Sequence, residues 1–220
     1  MKARDEILAR IRNAVRGAGD APGGPTAPGP GVEGARGYRQ AGVLDEEARL
    51  ALFEQRLADY GVRFTRSPEE GARDAIERAL QARGAHRIVV PSGFPEAWTP
   101  RDVAEPREGP ELVSIEALAE IDGVVTTCAV AIAETGTLAL DAGAGQGRRA
   151  LTLVPDYHLC VVRAEQVVET VPEAFRRLEP SVRGGSPITL VSGPSATSDI
   201  ELNRVQGVHG PRTLDVILVR

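Results

Sequence analysis

Between residues 124 and 162 four apolar runs follow one another at 124–132, 137–140, 151–154 and 159–162. A parallel neighbour reached through a helix needs a connection of roughly a dozen residues or more. No such room exists here, so this stretch predicts antiparallel or hairpin pairing. Strand and helix signals alternate on either side. Asp45 is placed to cap a helix whose Leu50, Phe53, Leu57 and Tyr60 share one face before Gly61 ends it. A short strand at 62–65 follows. Ser67-Pro68-Glu69-Glu70 reads as a capping box opening a helix through Ala72, Ile76, Ala79 and Leu80 to Gly84. Ile88 to Val90 form a buried strand, 91–110 a proline-punctuated loop, and 112–115 another short strand. After the strand-dense centre, a helix is expected over 165–178, kinked at Pro172, with closing strands at 187–191 and 214–219. The pattern predicts an α/β layered domain with a mixed sheet.

Ahead of that domain, Ile7, Leu8, Ile11 and Val15 fall on one stripe, giving an amphipathic helical arm over 1–16. Residues 17–42 are a Gly/Pro-rich linker, since twelve of the twenty-one residues from Gly17 to Gly37 are Gly or Pro. The α/β domain is expected over 43–220. The arm's apolar stripe must be covered by its own domain, by a second copy in a homo-oligomer, or by another protein.

The formal charge is -5, with 26 Lys and Arg against 31 Asp and Glu, so no basic surface is predicted for a phosphate backbone. Nucleic acid is not an expected partner. The N-terminus enters charged residues at once, and nowhere are there about 18 consecutive apolar residues, so neither a signal peptide nor a membrane span is predicted and a cytoplasmic location is expected. Cys128 and Cys160 lie in apolar runs without CxxC spacing and read as buried thiols. An iron–sulfur cluster usually needs about four thiolates. No cofactor is therefore expected on this chain.

Four stretches could carry chemistry. In Glu134-Thr135-Gly136-Thr137 an acid precedes a glycine turn inside an apolar region, where burial would tune a carboxylate as acid, base or nucleophile unless backbone N–H groups simply hold it. Asp141 to Arg149 is a glycine-rich loop whose Gly145, Gln146, Gly147 and Arg148 could approach an anion, or could only satisfy turn geometry. Its spacing fits neither a dinucleotide fingerprint nor a Walker loop. Ser195, Thr197 and Ser198 concentrate hydroxyls, beside the Asp199 carboxylate, at an expected helix start, where Ser198 and Glu201 make a second capping box. His209 sits between small residues, suited to donating to a substrate oxygen. His86, His158 and His209 lack ligand-type neighbours at helical spacing, so no metal site is predicted.

Taken together, AIAETGTLALDAGAGQGRRALTLVPDYHLCVV and GPSATSDIELNRVQGVHGPRTLDVILV resemble the signature blocks of the lactate utilization protein C family, whose shared unit is the LUD domain. The resemblance implies a role in oxidising L-lactate to pyruvate as an accessory subunit beside two larger partners that carry iron–sulfur clusters. It also implies a three-layer α/β/α Rossmann-like fold of the ribose-phosphate isomerase, glucosamine-phosphate deaminase and coenzyme A transferase class. Coenzyme A transferases use a glutamate near a glycine turn as nucleophile, and by that analogy Glu134 is the candidate catalytic residue. The alternatives are a free-standing enzyme acting on a small anionic metabolite and a structural dimerisation module.

Overall fold

In the computed structural model, residues 7–8, 37–101, 107–108, 114–198, 204–206 and 210–220 are described. The chain divides into two compact units, Met1–Tyr38 and Arg39–Arg220. In the first, Ile7 and Leu8 are helical and Ile7 is exposed; the rest of the expected arm and most of the expected linker lie outside the described residues. The second unit begins four residues before the expected boundary at 43, because Arg39 and Gln40 are already bonded into it.

Helix α1 (Glu46–Asp59) starts as its sequence dictates: the Asp45 carboxylate accepts the Ala48 N–H at 2.8 Å, and Leu50, Phe53 and Leu57 are buried. Strand β1 (Arg63–Ser67) follows. The expected capping box at Ser67 does not form, since Ser67 ends β1 and its hydroxyl donates to the Pro68 carbonyl at 3.0 Å. The chain instead enters α2 (Ala72–Arg83) through a 3-10 turn, Glu69–Gly71, and leaves it at Gly84 with φ 64°. Strands β2 (Ile88–Pro91) and β3 (Arg107–Glu108) come next. Where a strand was expected at 112–115, Ser114 caps α3 (Ile115–Ala119) by accepting the Ala117 N–H; residues 112 and 113 lie outside the described residues.

The remaining elements are β4 (Gly123–Thr126), β5 (Val130–Ile132), β6 (Thr137–Leu140), β7 (Tyr157–Arg163), β8 (Val167–Val168), α4 (Val171–Arg183), β9 (Thr189–Val191), β10 (Ala196–Ser198), β11 (Arg204–Gln206) and β12 (Thr213–Val219). The run at 124–132 is thus two strands, and they belong to different sheets. Pro172 does not kink a helix but sits in the first turn of α4, where Thr170 and Glu173 form a capping box. A proline costs nothing there, because the first-turn N–H has no helical acceptor. Residues 165–168, expected to be helical, lie in a 3-10 turn, Ala164–Gln166, and in β8.

Six strands form one parallel sheet in the order β1-β12-β7-β4-β2-β3. The strand expected to close the fold, β12, lies inside this sheet. A second sheet, β8-β5-β6-β9, is mixed, with β6 antiparallel to both neighbours and β8 parallel to β5. The antiparallel pairing predicted for the strand-dense centre therefore holds for the β5–β6 hairpin. It does not hold for β4 and β7, which are parallel. Their crossover is made by that hairpin, the glycine-rich loop and a 3-10 turn, Arg149–Thr152, rather than by a helix. The turn replaces the strand expected at 151–154 and buries Leu151 among Val89, Leu118 and Val124.

Alternation along β7 and β12 sets the layers. Leu159, Val161, Ile217 and Val219 face Ala72, Ile76 and Leu80 of α2. Cys160, Val162, Leu214, Val216 and Leu218 face α1 and the Ala131, Leu138 and Leu140 side of the second sheet. The far side of that sheet is covered by Ala174 and Leu178 of α4. Each fully buried Leu or Phe contributes roughly 1.5–3 kcal/mol. Cys128 and Cys160 are buried, unoxidised members of the layer between the sheets.

Candidate functional site

The turn between β5 and β6 requires its glycine. Gly136 has φ 59°, and a Cβ there would lie 2.9 Å from the Arg56 Cβ and 3.0 Å from its backbone carbon. Beyond the end of β5 the chain leaves the sheet, so the Glu134 side chain is 44% exposed and pairs with Arg39 Nη2 at 2.7 Å. The expectation of a buried carboxylate at Glu134 is corrected on this point. The buried one is Glu169, 3% exposed, which accepts the Val43 and Leu44 N–H groups at 2.6 Å each and also pairs with Arg39. Burial alone pushes the Glu169 carboxyl up, but the Leu44 N–H, Arg39 and the Val43 N–H together hold it below its ordinary value. Gly42 permits this strap, since a Cβ there would sit 2.5 Å from Glu169 Oε2.

Most groups of the glycine-rich loop are spent on the fold. Gln146 accepts the Asp141 N–H at 2.7 Å and donates to Asp141 Oδ1 at 2.8 Å. The Gly145 N–H donates to the Ser92 carbonyl, and the Thr127 N–H donates to the Gly145 carbonyl, both at 2.8 Å. A side chain at Gly145 would meet Thr127 Oγ1 at 2.8 Å. The loop thereby seals the carboxyl ends of β2 and β4, a common ligand position in parallel α/β sheets. Gly147 adopts φ 66° and Arg148 is half-buried in the approach to the next turn.

A cleft of about 320 Å³ opens elsewhere, near the amino ends of β7 and β12, between the Arg149–Thr152 turn, the end of β9 and the 210–211 segment. His158, only 1% exposed, lines it. The imidazole Nε2 lies 2.8 Å from Thr126 Oγ1. The ring makes no second hydrogen bond among the described residues. Arg49 Nε is the buried side-chain nitrogen without a partner among them, and the 1% exposed His158 ring stands at the wall of the cleft. Burial pushes the imidazole pKa down to about 4, leaving the ring neutral at neutral pH. At the rim stands exposed Arg149, with no acid paired to it among the described residues.

Hydroxyls complete the rim. Thr135 Oγ1 lies 2.7 Å from Thr137 Oγ1, which lies 2.7 Å from Ser192 Oγ, and Ser192 lines the cleft. Ser195 also lines it, held by its N–H to the Pro211 carbonyl at 2.8 Å. Of the residues selected from sequence, Ser195 lines the cleft, Thr135 and Thr137 connect to it only through Ser192, and Gly145 and Gln146 are spent on the loop at the sealed strand ends. Thr197 and Ser198 are in β10, paired with β11; the helix start expected at Ser198 is therefore a hairpin strand. Asp199, Glu201 and His209 lie outside the described residues. Sequence reasoning missed His158, Thr126, Arg149 and Ser192. The available signal was a histidine inside the apolar strand Tyr157-His158-Leu159-Cys160-Val161-Val162, where a polar group needs a partner. Among the described residues no group of three or more His, Cys, Asp or Glu could hold a metal ion, and no helix is long and apolar enough to cross a membrane.

Residues 101–219 match the LUD domain. The chain is 44% identical to lactate utilization protein C of Deinococcus radiodurans over 218 residues, covering 99% of this chain and 96% of that protein. It is 36% identical over 185 residues to the uncharacterized protein YkgG of Escherichia coli, covering 76% of this chain and 78% of that one. The crystal structure of a DUF162 family protein from Deinococcus radiodurans superposes with a TM-score of 0.72 at 43% identity, covering 81% of this chain and all of that one.

Proposed function

This chain belongs to the LUD domain family, and on that premise we propose that it serves L-lactate utilization as a cytoplasmic accessory subunit, binding a small anionic ligand in the His158 cleft and working beside iron–sulfur partners. The observation that carries this reading is the 44% identity to a lactate utilization protein C across nearly the full length of both chains. The cleft supports the ligand part. It combines an exposed cation, Arg149, with the hydroxyl residues Thr152, Ser192 and Ser195, a set suited to a small carboxylate. Its volume of about 320 Å³ lies at the small end of ligand sites, which favours a small metabolite over a coenzyme A thioester. The alternative of a free-standing transferase using Glu134 gains no support from a half-exposed carboxylate already paired with Arg39.

Deletion of the gene tests the reading. Growth on L-lactate as sole carbon source should be lost and should return with the intact gene. Lactate oxidation by the purified iron–sulfur partners should rise when this protein is added. Normal growth of the deletion strain, with no effect in reconstitution, overturns the proposal.

A further inference from the structure

Every residue from Thr189 to Ser195 lines the cleft. Side chains alternate between the two faces of a strand, so a wall that takes Thr189, Leu190 and Val191 alike runs along the edge of β9 rather than over one of its faces. That strand ends its sheet, and among the described residues it pairs with β6 alone. The register identifies the main-chain groups left over. The Ala139 carbonyl accepts the Ala129 N–H at 2.9 Å, so the main-chain groups of Ala139 point towards β5 and those of Leu138 and Leu140 towards β9. Leu138 stands opposite Val191 and Leu140 opposite Thr189, which turns the Leu190 N–H and carbonyl away from β6. Neither has a partner among the described residues, and Leu190 is 49% exposed. Across the cleft the wall is the Arg149–Thr152 turn, not a strand. The cleft thus runs where a further strand of the sheet would lie.

We infer that the edge of β9 takes an extended acidic segment of a partner protein, added as a strand through the Leu190 main chain, with Arg149 holding its carboxylate. Main-chain bonds to an open edge supply affinity in this mode of recognition, and the flanking side chains supply selectivity. Arg149 is the one ionised side chain among the lining residues, since burial keeps His158 neutral at neutral pH. The charge therefore selects an acidic segment over a basic one. Leu153 and Leu214 line the same cleft and suit an apolar residue alternating with the acid. Pro187 and Pro194 bracket β9 and cannot donate to a ladder, so the open edge is short; it admits one brief segment and resists indefinite sheet growth. A second copy of this chain brings no acid to meet Arg149, because none lines the cleft. The segment and the small carboxylate proposed above share Arg149 and exclude each other.

Fluorescence anisotropy of the full-length protein with short capped peptides of valine and threonine tests it. The parent peptide carries one central glutamate, and a second carries lysine in its place. Two further copies of the parent are N-methylated on alternate residues, one on each set. The glutamate peptide should bind about fivefold more tightly than the lysine peptide, and Arg149→Ala, at an exposed position, should remove that preference. A strand turns only every second N–H towards its neighbour, so one N-methylated peptide should bind at least about tenfold more weakly and the other like the parent. Leu190→Pro should weaken the parent peptide to a similar degree with little change in the thermal unfolding midpoint, since its N–H lies outside the ladder with β6 and edge strands accept proline. If that variant unfolds early, the N-methylated pair decides alone. Failure of the glutamate peptide to bind, equal binding of the glutamate and lysine peptides, or equal effects of the two N-methylated sets overturns the inference. So does a dimer of the wild type that Leu190→Pro converts to monomer, because a second copy then holds the edge. Growth on L-lactate enters none of these outcomes, so the proposed cellular role and the strand edge fail separately.

Discussion

Tyr157 and His158 are consecutive on β7 and point to opposite faces of the same sheet. On one face the Tyr157 hydroxyl donates to Asp215 Oδ2 at 3.0 Å, and Arg83 grips the same carboxylate through Nη2 at 2.6 Å and Nε at 3.1 Å. Asp215 is 2% exposed, and burial, followed by the Asp215 charge, pushes the Tyr157 phenol well above its ordinary range. Every strong group in that cluster has a partner. On the other face the His158 ring meets Thr126 and lines a cleft, with no second partner among the described residues. Tyr157, Asp215, His158 and Thr126 are all buried, so burial of these four side chains does not separate the two faces. Their difference lies in what remains unsatisfied. A closed cluster fixes the fold, whereas a polar ring with bonding capacity left at the wall of a concavity can serve a ligand.

Removing the closed cluster's anion should give the largest effect. Asp215→Ala removes the shared acceptor of the Arg83 guanidinium and the Tyr157 hydroxyl; breaking a fully buried pair costs about 3–5 kcal/mol, and because Arg83 is 30% exposed and is rehydrated in part, the loss should fall at or below the lower end of that range. The urea midpoint should fall accordingly, and Asp215→Asn should fall less because the amide still accepts from Tyr157. A midpoint unchanged by Asp215→Ala would erase the contrast between the two faces.

The open face should reveal itself through pH. His158 has a folded pKa of about 4 against an ordinary value near 6.5. Between these values the unfolded chain binds a proton that the native protein does not, so stability rises with pH there and is lost as pH falls from about 6.5 towards 4. The full span corresponds to about 3 kcal/mol. Urea unfolding of the wild type and His158→Gln at pH 7 and pH 4.5 isolates this contribution: the variant should lose less stability on acidification. Parallel losses would mean that the native ring takes up its proton as readily as the unfolded one.

The comparison also explains what sequence could reveal. Asp45 capping α1, the helix stop at Gly84 and the buried strand from Ile88 were legible because each depends on residues within a turn or two. Pro172 was misread because a proline at the start of a helix and one within it differ only in where the helix begins, and Thr170 with Glu173 decides that. The break between β4 and β5 was invisible because the apolar run continues through Cys128 and Ala129 while the chain passes from one sheet to the other. The site was less legible still. Glu134 stood out as an acid in an apolar region, yet its exposure is set by where β5 ends, and the buried acid, Glu169, precedes a helix as an ordinary polar residue. His158 and Thr126 are 32 residues apart, and only the parallel pairing of β4 with β7 brings their side chains to one face.

Glu169 and Glu134 restate the same contrast on a smaller scale, since both hold Arg39. Glu169 lies below its ordinary pKa through the bonds from Leu44, Arg39 and Val43, so its contribution is present above the unfolded value of about 4.3 and is lost as pH falls through the lower folded value. The Val43 and Leu44 amide resonances should therefore move together with a midpoint below that of an ordinary glutamate. Glu134→Gln should produce the smallest effect of all. Its carboxylate is half in solvent, its partner Arg39 keeps the Glu169 contact, and exposed ion pairs contribute little. The urea midpoint should stay within error and growth on L-lactate should persist. A folded Glu134→Gln protein that cannot support growth would reverse the ranking of the two regions, because a group that contributes nothing to the fold and is still required must act on something outside it.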